Sequence, residues 1–113
     1  MREDIGEYEH LNLKGKKAKK YWLYSCFLQS HGIDHRMPLA WLKKDKGDDL
    51  LLIEKAGLFE RSNGTENFDE LKSICEIAGV KITDTRTDIL LRNGKPCLAS
   101  SDPEKFNRNI YFF

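Results

Sequence analysis

His31 and His35 stand four positions apart, with Asp34 and Cys26 nearby, the spacing at which a helix can offer ligands to zinc. They fall around Gly32, in a segment that reads as a loop, and no second ligand pair is visible, so no metal and no cofactor is expected. Asp88 opens the stretch TDILLRNGKPCLASSD, a single carboxylate at the mouth of a hairpin. Ser100 and Ser101 offer hydroxyls, but no histidine can be paired with them from sequence, and no catalytic residue is assigned. What remains is the chemistry of charge. Lys14, Lys16, Lys17, Lys19 and Lys20 form the run KGKKAKK, followed at once by Tyr21 and Trp22. Clustered cations neutralise phosphates, and an adjacent aromatic can stack on a base. The plain alternative is a solvated lysine face, with Tyr21 and Trp22 in the core.

The totals are those of an ordinary globular chain, too apolar for disorder and too interrupted by charge for a membrane span. The chain has 113 residues, 40% hydrophobic and 33% charged, which suits one domain with a single core. Its longest apolar run, Tyr21 to Leu28, is interrupted by Ser25 and falls short of the ~20 residues a membrane helix needs. The first residues, MREDIGEYEH, are acidic and polar, and no small-residue cleavage site follows the apolar run, so a cytoplasmic location and no membrane partner are expected. Three cysteines, Cys26, Cys75 and Cys97, are odd in number, widely spaced and set among apolar residues, which reads as buried, reduced thiols.

Net charge is +1, but it is unevenly spread. Residues 1–13 set Arg2 against Glu3, Asp4, Glu7 and Glu9, whereas residues 14–46 set nine lysines and arginines against Asp34 and Asp45. A near-neutral total therefore conceals a basic face.

The elements that must position these residues read as follows. Residues 1–13 are an arm or a loosely docked strand. A first helix runs from about Lys16 to Ser30 and stops at Gly32; its second half is apolar nearly all round, as in a core helix. Pro38 suits the first turn of a second helix reaching Lys44. Leu50–Ile53 fits helix or strand; helix is favoured because Ile53, Ala56 and Gly57 continue one face and Gly57 makes a stop. Leu58–Arg61 is a strand turned at Asn63-Gly64. Asn67 and Glu70 form a capping box for a helix whose apolar face is Phe68, Leu71, Ile74, Cys75 and Ala78, ended by Gly79. Asn93-Gly94 turns a hairpin between Ile89–Leu91 and Cys97–Ala99, with Pro96 marking an edge. Ile110, Tyr111, Phe112 and Phe113 are expected to dock on the core, add a strand, or meet a partner.

The stretch PLAWLKKDKGDDLLLIEKAGLFERSNG, taken with the helix before it, resembles a winged helix-turn-helix over residues 16–67. The resemblance implies nucleic-acid contact. A recognition helix should open with residues that reach base edges or phosphates, yet this one opens with Asp48-Asp49, so contact would fall to Lys43, Lys44, Lys46 and Arg61 of the wing. The hairpin after Asp88 resembles the metal-binding strand pair of the PD-(D/E)xK nucleases, but its return strand carries Cys97-Leu98-Ala99 where that family needs a carboxylate and a lysine.

The expectation is thus a single α+β domain, with a helical N-terminal half of winged-helix character followed by a helix and a small antiparallel hairpin or sheet. It would act as a small non-catalytic nucleic-acid-associated regulator or accessory protein, on DNA or RNA. Two alternatives stand beside it: a protein-interaction module using the hairpin edge and the apolar C-terminus, and an inactive metal-dependent nuclease-like domain.

Overall fold

The computed structural model describes residues 8–63 and 66–106, in which helix and sheet are mixed in the α+β manner. The order is β1 (Tyr8–Leu13), α1 (Gly15–Ser30), β2 (Pro38–Leu42), β3 (Asp49–Glu54), a 3-10 turn (Ala56–Leu58) and β4 (Glu60–Arg61). Then come α2 (Asp69–Ala78), the single turn α3 (Thr85–Asp88), β5 (Ile89–Arg92), β6 (Lys95–Leu98) and a second 3-10 turn (Pro103–Phe106). Two three-stranded antiparallel sheets result, ordered β1-β3-β2 and β4-β5-β6.

Several sequence expectations hold. α1 ends one residue before His31, and Gly32 takes φ +72°. α2 buries Leu71, Cys75 and Ala78, but its N-cap is Phe68 and not Asn67, and in place of the expected capping box with Glu70 the Asn67 side chain accepts from Asp69 N–H just before the helix. Gly79 at φ +78° closes it in a Schellman motif, with Val80 N–H on Cys75 O and Gly79 N–H on Glu76 O. The hairpin has the expected register, Ile89 opposite Leu98, and its turn residues Asn93 (φ 52°) and Gly94 (φ 80°) are both left-handed, as a type I′ turn requires.

The middle of the chain is different. Pro38–Leu42 and Asp49–Glu54, expected as the two helices of a helix-turn-helix, are the strands β2 and β3 of one sheet. β3 is central and paired on both sides, and burial alternates along it because successive side chains point to opposite faces of the sheet: Asp49, Leu51 and Ile53 face inward. Gly57 is not a left-handed corner but part of a 3-10 turn, with open space where a Cβ would stand. The expected arm is in part a full edge strand, since residues 8–13 pair with β3 along their whole length. The hairpin's outer edge is not free either. Leu98 N–H donates to Asp34 O and Arg36 N–H to Leu98 O, so the segment around His35 runs parallel along the end of β6. The proposed wing tip at Gly64 and the apolar tail 110–113 lie outside the described residues.

α1 is shared between two environments. It lies against β1, β2 and β3, where Ala18 and Ser25 are buried, while Tyr24 and Leu28 enter the main core. That core joins them to Ile33, Phe68, Leu71, Cys75, Ala78 and Val80, and to Ile89, Leu91, Leu98 and Phe106. Cys75 and Cys97 are buried, and burial pushes their thiols up to about 11 and about 12. Cys26, expected inside, is instead exposed on α1.

Candidate nucleic-acid interface

Two lysine clusters that are separate in sequence meet at one end of the molecule, and Asp49 is the reason. Asp49 opens β3 on the inward face and is 6% exposed. Its Oδ2 accepts from Trp41 Nε1 at 2.9 Å and its Oδ1 from Lys44 N–H at 3.1 Å, which fixes the β2–β3 turn carrying Lys43, Lys44 and Lys46. The indole hydrogen bond, then that backbone bond, hold the carboxyl below its usual value. Gly15, at the start of α1, stands so close that a Cβ there would meet Asp49 Oδ2 at 3.3 Å. The first turn of α1 contains no acid of its own, so Asp49 supplies a carboxylate to the positive end of that helix. This placement explains how a lysine-rich helix start is tolerated, and it brings the first turn of α1 to the same end of the molecule as the β2–β3 turn.

The individual side chains are not equivalent. Lys14, Lys16, Lys19, Lys20, Lys44 and Lys46 are exposed, and none forms an ion pair with another described residue. Lys17 lies 3.6 Å from Glu104, an exposed pair that contributes little to stability. Lys43 Nζ sits 4.8 Å from the Trp41 ring centroid, a cation–π contact on the aromatic at this end. Tyr21, expected as a stacking platform, is half-buried and directs its hydroxyl to Asp102 at 3.4 Å. Burial and that acid raise its pKa. Arg61 is exposed on β4 and belongs to a different group of cations, formed with Arg36, Arg86 and Lys105. Sequence patterning does not single out those three, because each is an isolated cation with no run to mark it.

The other sequence candidates are occupied structurally. Asp88 is 4% exposed, and its Oδ2 accepts from Thr83 N–H, Thr83 Oγ1 and Asp84 N–H, so it braces the turn into α3. Ala99 N–H bonds to the Asp88 carbonyl, which leaves an alanine where a second acid would have to stand. His35 is fully buried with both ring nitrogens engaged: Nδ1 lies 3.0 Å from Ile33 O, so Nε2 accepts from Ser25 Oγ at 2.5 Å. This has the look of a nucleophile and base, but Ser25 is itself 5% exposed and no surface leads a substrate to it. His31 is exposed, with its ring 4.5 Å from that of Phe27. Among the described residues no group of three or more His, Cys, Asp or Glu is arranged to hold a metal.

A second polar centre is structural as well. Arg92 donates to Glu54 through both terminal nitrogens at 2.8 Å, to Asp34 at 3.1 Å and to the His35 carbonyl at 3.0 Å, while its guanidinium lies 4.8 Å from the Phe59 ring centroid. Burial works against the Glu54 charge, but the bonds from Arg92 and Met37 N–H outweigh it and hold the carboxyl low. The network locks sheet to sheet.

Among the described residues no helix is long and apolar enough to cross a membrane. No protein-family model, no curated protein and no solved structure matches the chain.

Proposed function

We propose that this chain is a small non-catalytic nucleic-acid-associated protein, a regulator or accessory factor, that grips a phosphate backbone with the start of α1 and the β2–β3 turn. The observation that carries this reading is the meeting of the two lysine clusters around Asp49. The lysines outnumber the acids at this end, Asp45, Asp48 and Asp49, and the excess creates the local potential that counterion release rewards. The protein-interaction alternative draws less support, because part of the hairpin edge it would use is already paired by residues 34–36.

The test is a gel shift at two salt concentrations with duplex and single-stranded probes. Replacing Lys16, Lys17, Lys19 and Lys20 by Gln should weaken binding and lower the salt slope by up to about 0.9 for each phosphate no longer neutralised. Unchanged affinity and unchanged slope would remove α1 from the interface.

A further inference from the structure

The 3-10 turn at Ala56–Leu58, the paired strands β4 and β5, and α3 together line a groove of about 500 Å³. Four cations line it: Arg36, Arg61, Arg86 and Lys105. Leu90 supplies apolar surface, Phe59 lies buried beneath with Arg92 over its ring, and Gly57 leaves open space beside them. Among the described residues no carboxylate lines the groove.

That charge pattern departs from the rest of the molecule. Arg92 is neutralised by Glu54 and Asp34, and Arg36 by Glu9 at 2.7 Å. Arg61, Arg86 and Lys105 form no ion pair with any described residue. The acids on either side of Arg86 are engaged with the backbone. Asp84 accepts from Arg86 N–H at 3.0 Å, and Asp88 is buried in the turn that precedes β5. Three like charges converging on a concave wall repel one another, and low-dielectric walls focus their field outward. An anion relieves that repulsion. Guanidinium groups present planar forks that match phosphate oxygens in pairs, and the size of the groove suits a ligand with an organic body as well as a charged end.

We propose that this groove binds the phosphate groups of a nucleotide, with the base or sugar against Leu90 and the turn at Gly57. The site does not depend on the lysine end, and it stands or falls separately. The same chemistry is presented by a free nucleoside phosphate and by a nucleotide within a strand, and titration distinguishes the two sources. Calorimetry with a nucleoside 5′-diphosphate, the same nucleoside without phosphate, and a short single strand would be run on three proteins. These are the parent chain, Arg61→Gln/Arg86→Gln/Lys105→Gln, and the variant of α1 with its four lysines replaced by Gln. All substituted side chains but Lys17, which is half-buried, are exposed, and circular dichroism verifies that each variant folds. The parent should bind the diphosphate, or the strand, and ignore the bare nucleoside. The groove variant should bind about tenfold or more weakly for each arginine removed, and the lysine variant should keep its groove affinity. Binding of the diphosphate assigns the free nucleotide as ligand, whereas groove-dependent binding of the strand alone assigns a nucleic acid. A parent chain that binds neither probe, equal binding of the bare nucleoside, or a groove variant with undiminished affinity would each overturn the proposal.

Discussion

His35 shares no surface with solvent and lies between the Ser25 hydroxyl and the Ile33 carbonyl. Burial lowers its pKa, and the bond to Ile33 and the nearby Asp34 offset this only in part. The unfolded chain therefore takes up a proton near pH ~6.5 that the folded chain refuses. Stability contributed by this residue is complete above about pH 6.5 and falls as pH drops below it, by at most about 1.4 kcal/mol per pH unit. His35→Gln should be less stable near neutrality but flatter between about pH 6.5 and 5, as read from urea midpoints at several pH values. Equal slopes for the two proteins would show that His35 is not the titrating group. Arg92 poses a different test. Removing it as Arg92→Met leaves Glu54, whose side chain is 15% exposed, without its guanidinium partner, and should cost about 2–3 kcal/mol in urea unfolding. A loss below about 0.5 kcal/mol would mean that water replaces the guanidinium fully and that the network is ornamental.

At the scale of elements, two glycines separate what local sequence determines from what tertiary pairing determines. Gly94 occupies φ 80° in the β5–β6 turn, so Gly94→Ala should destabilise by about 1 kcal/mol. Gly57 has no positive φ and no atom within reach of a Cβ, so Gly57→Ala should change stability by less than about 0.5 kcal/mol. Thermal melts of the pair check both, and a large loss at Gly57 would restore the helix-to-strand corner that the sequence suggests. The elements legible in the sequence, α1, α2 and the β5–β6 hairpin, carry their own punctuation in Gly32, Gly79 and Asn93-Gly94. β2 and β3 are punctuated too, by Pro38 and by Gly47 at φ +80°, but those signals suit a helix start and a helix–helix turn as well as a strand and a hairpin. Leu50–Ile53 is a continuous apolar run although only Leu51 and Ile53 are buried, and periodicity cannot distinguish such a run from a buried helix. The α1 lysines are visible in the sequence as a run. Their junction with Lys43, Lys44 and Lys46 rests on the long-range approach of Gly15 to Asp49, and the groove assembles Arg36, Arg61, Arg86 and Lys105 from distant parts of the chain. Neither leaves a local mark.

Across the whole molecule, the lysine end and the arginine groove adjoin through the 3-10 turn at Pro103–Phe106. Lys17 reaches Glu104, and the next residue, Lys105, lines the groove. A strand that bridged the start of α1 and the groove by way of this turn would pass the exposed Glu104 carboxylate. A ligand long enough to engage both regions binds the second intramolecularly, so its affinity should exceed that of a strand limited to one region by about 10²-fold or more. Its salt slope should approach the sum of the two separate slopes, since each neutralised phosphate contributes about −0.9. Glu104→Gln removes the repulsive charge on that path and frees Lys17, so it should tighten the long strand and leave the diphosphate in the groove little changed. Fluorescence anisotropy over a series of strand lengths, at two salt concentrations, reads all of these quantities. A single plateau in affinity, with a slope that never rises above that of the shortest bound strand, would mean that the two basic regions never act on one ligand, and the crossing at Glu104 would lose its meaning.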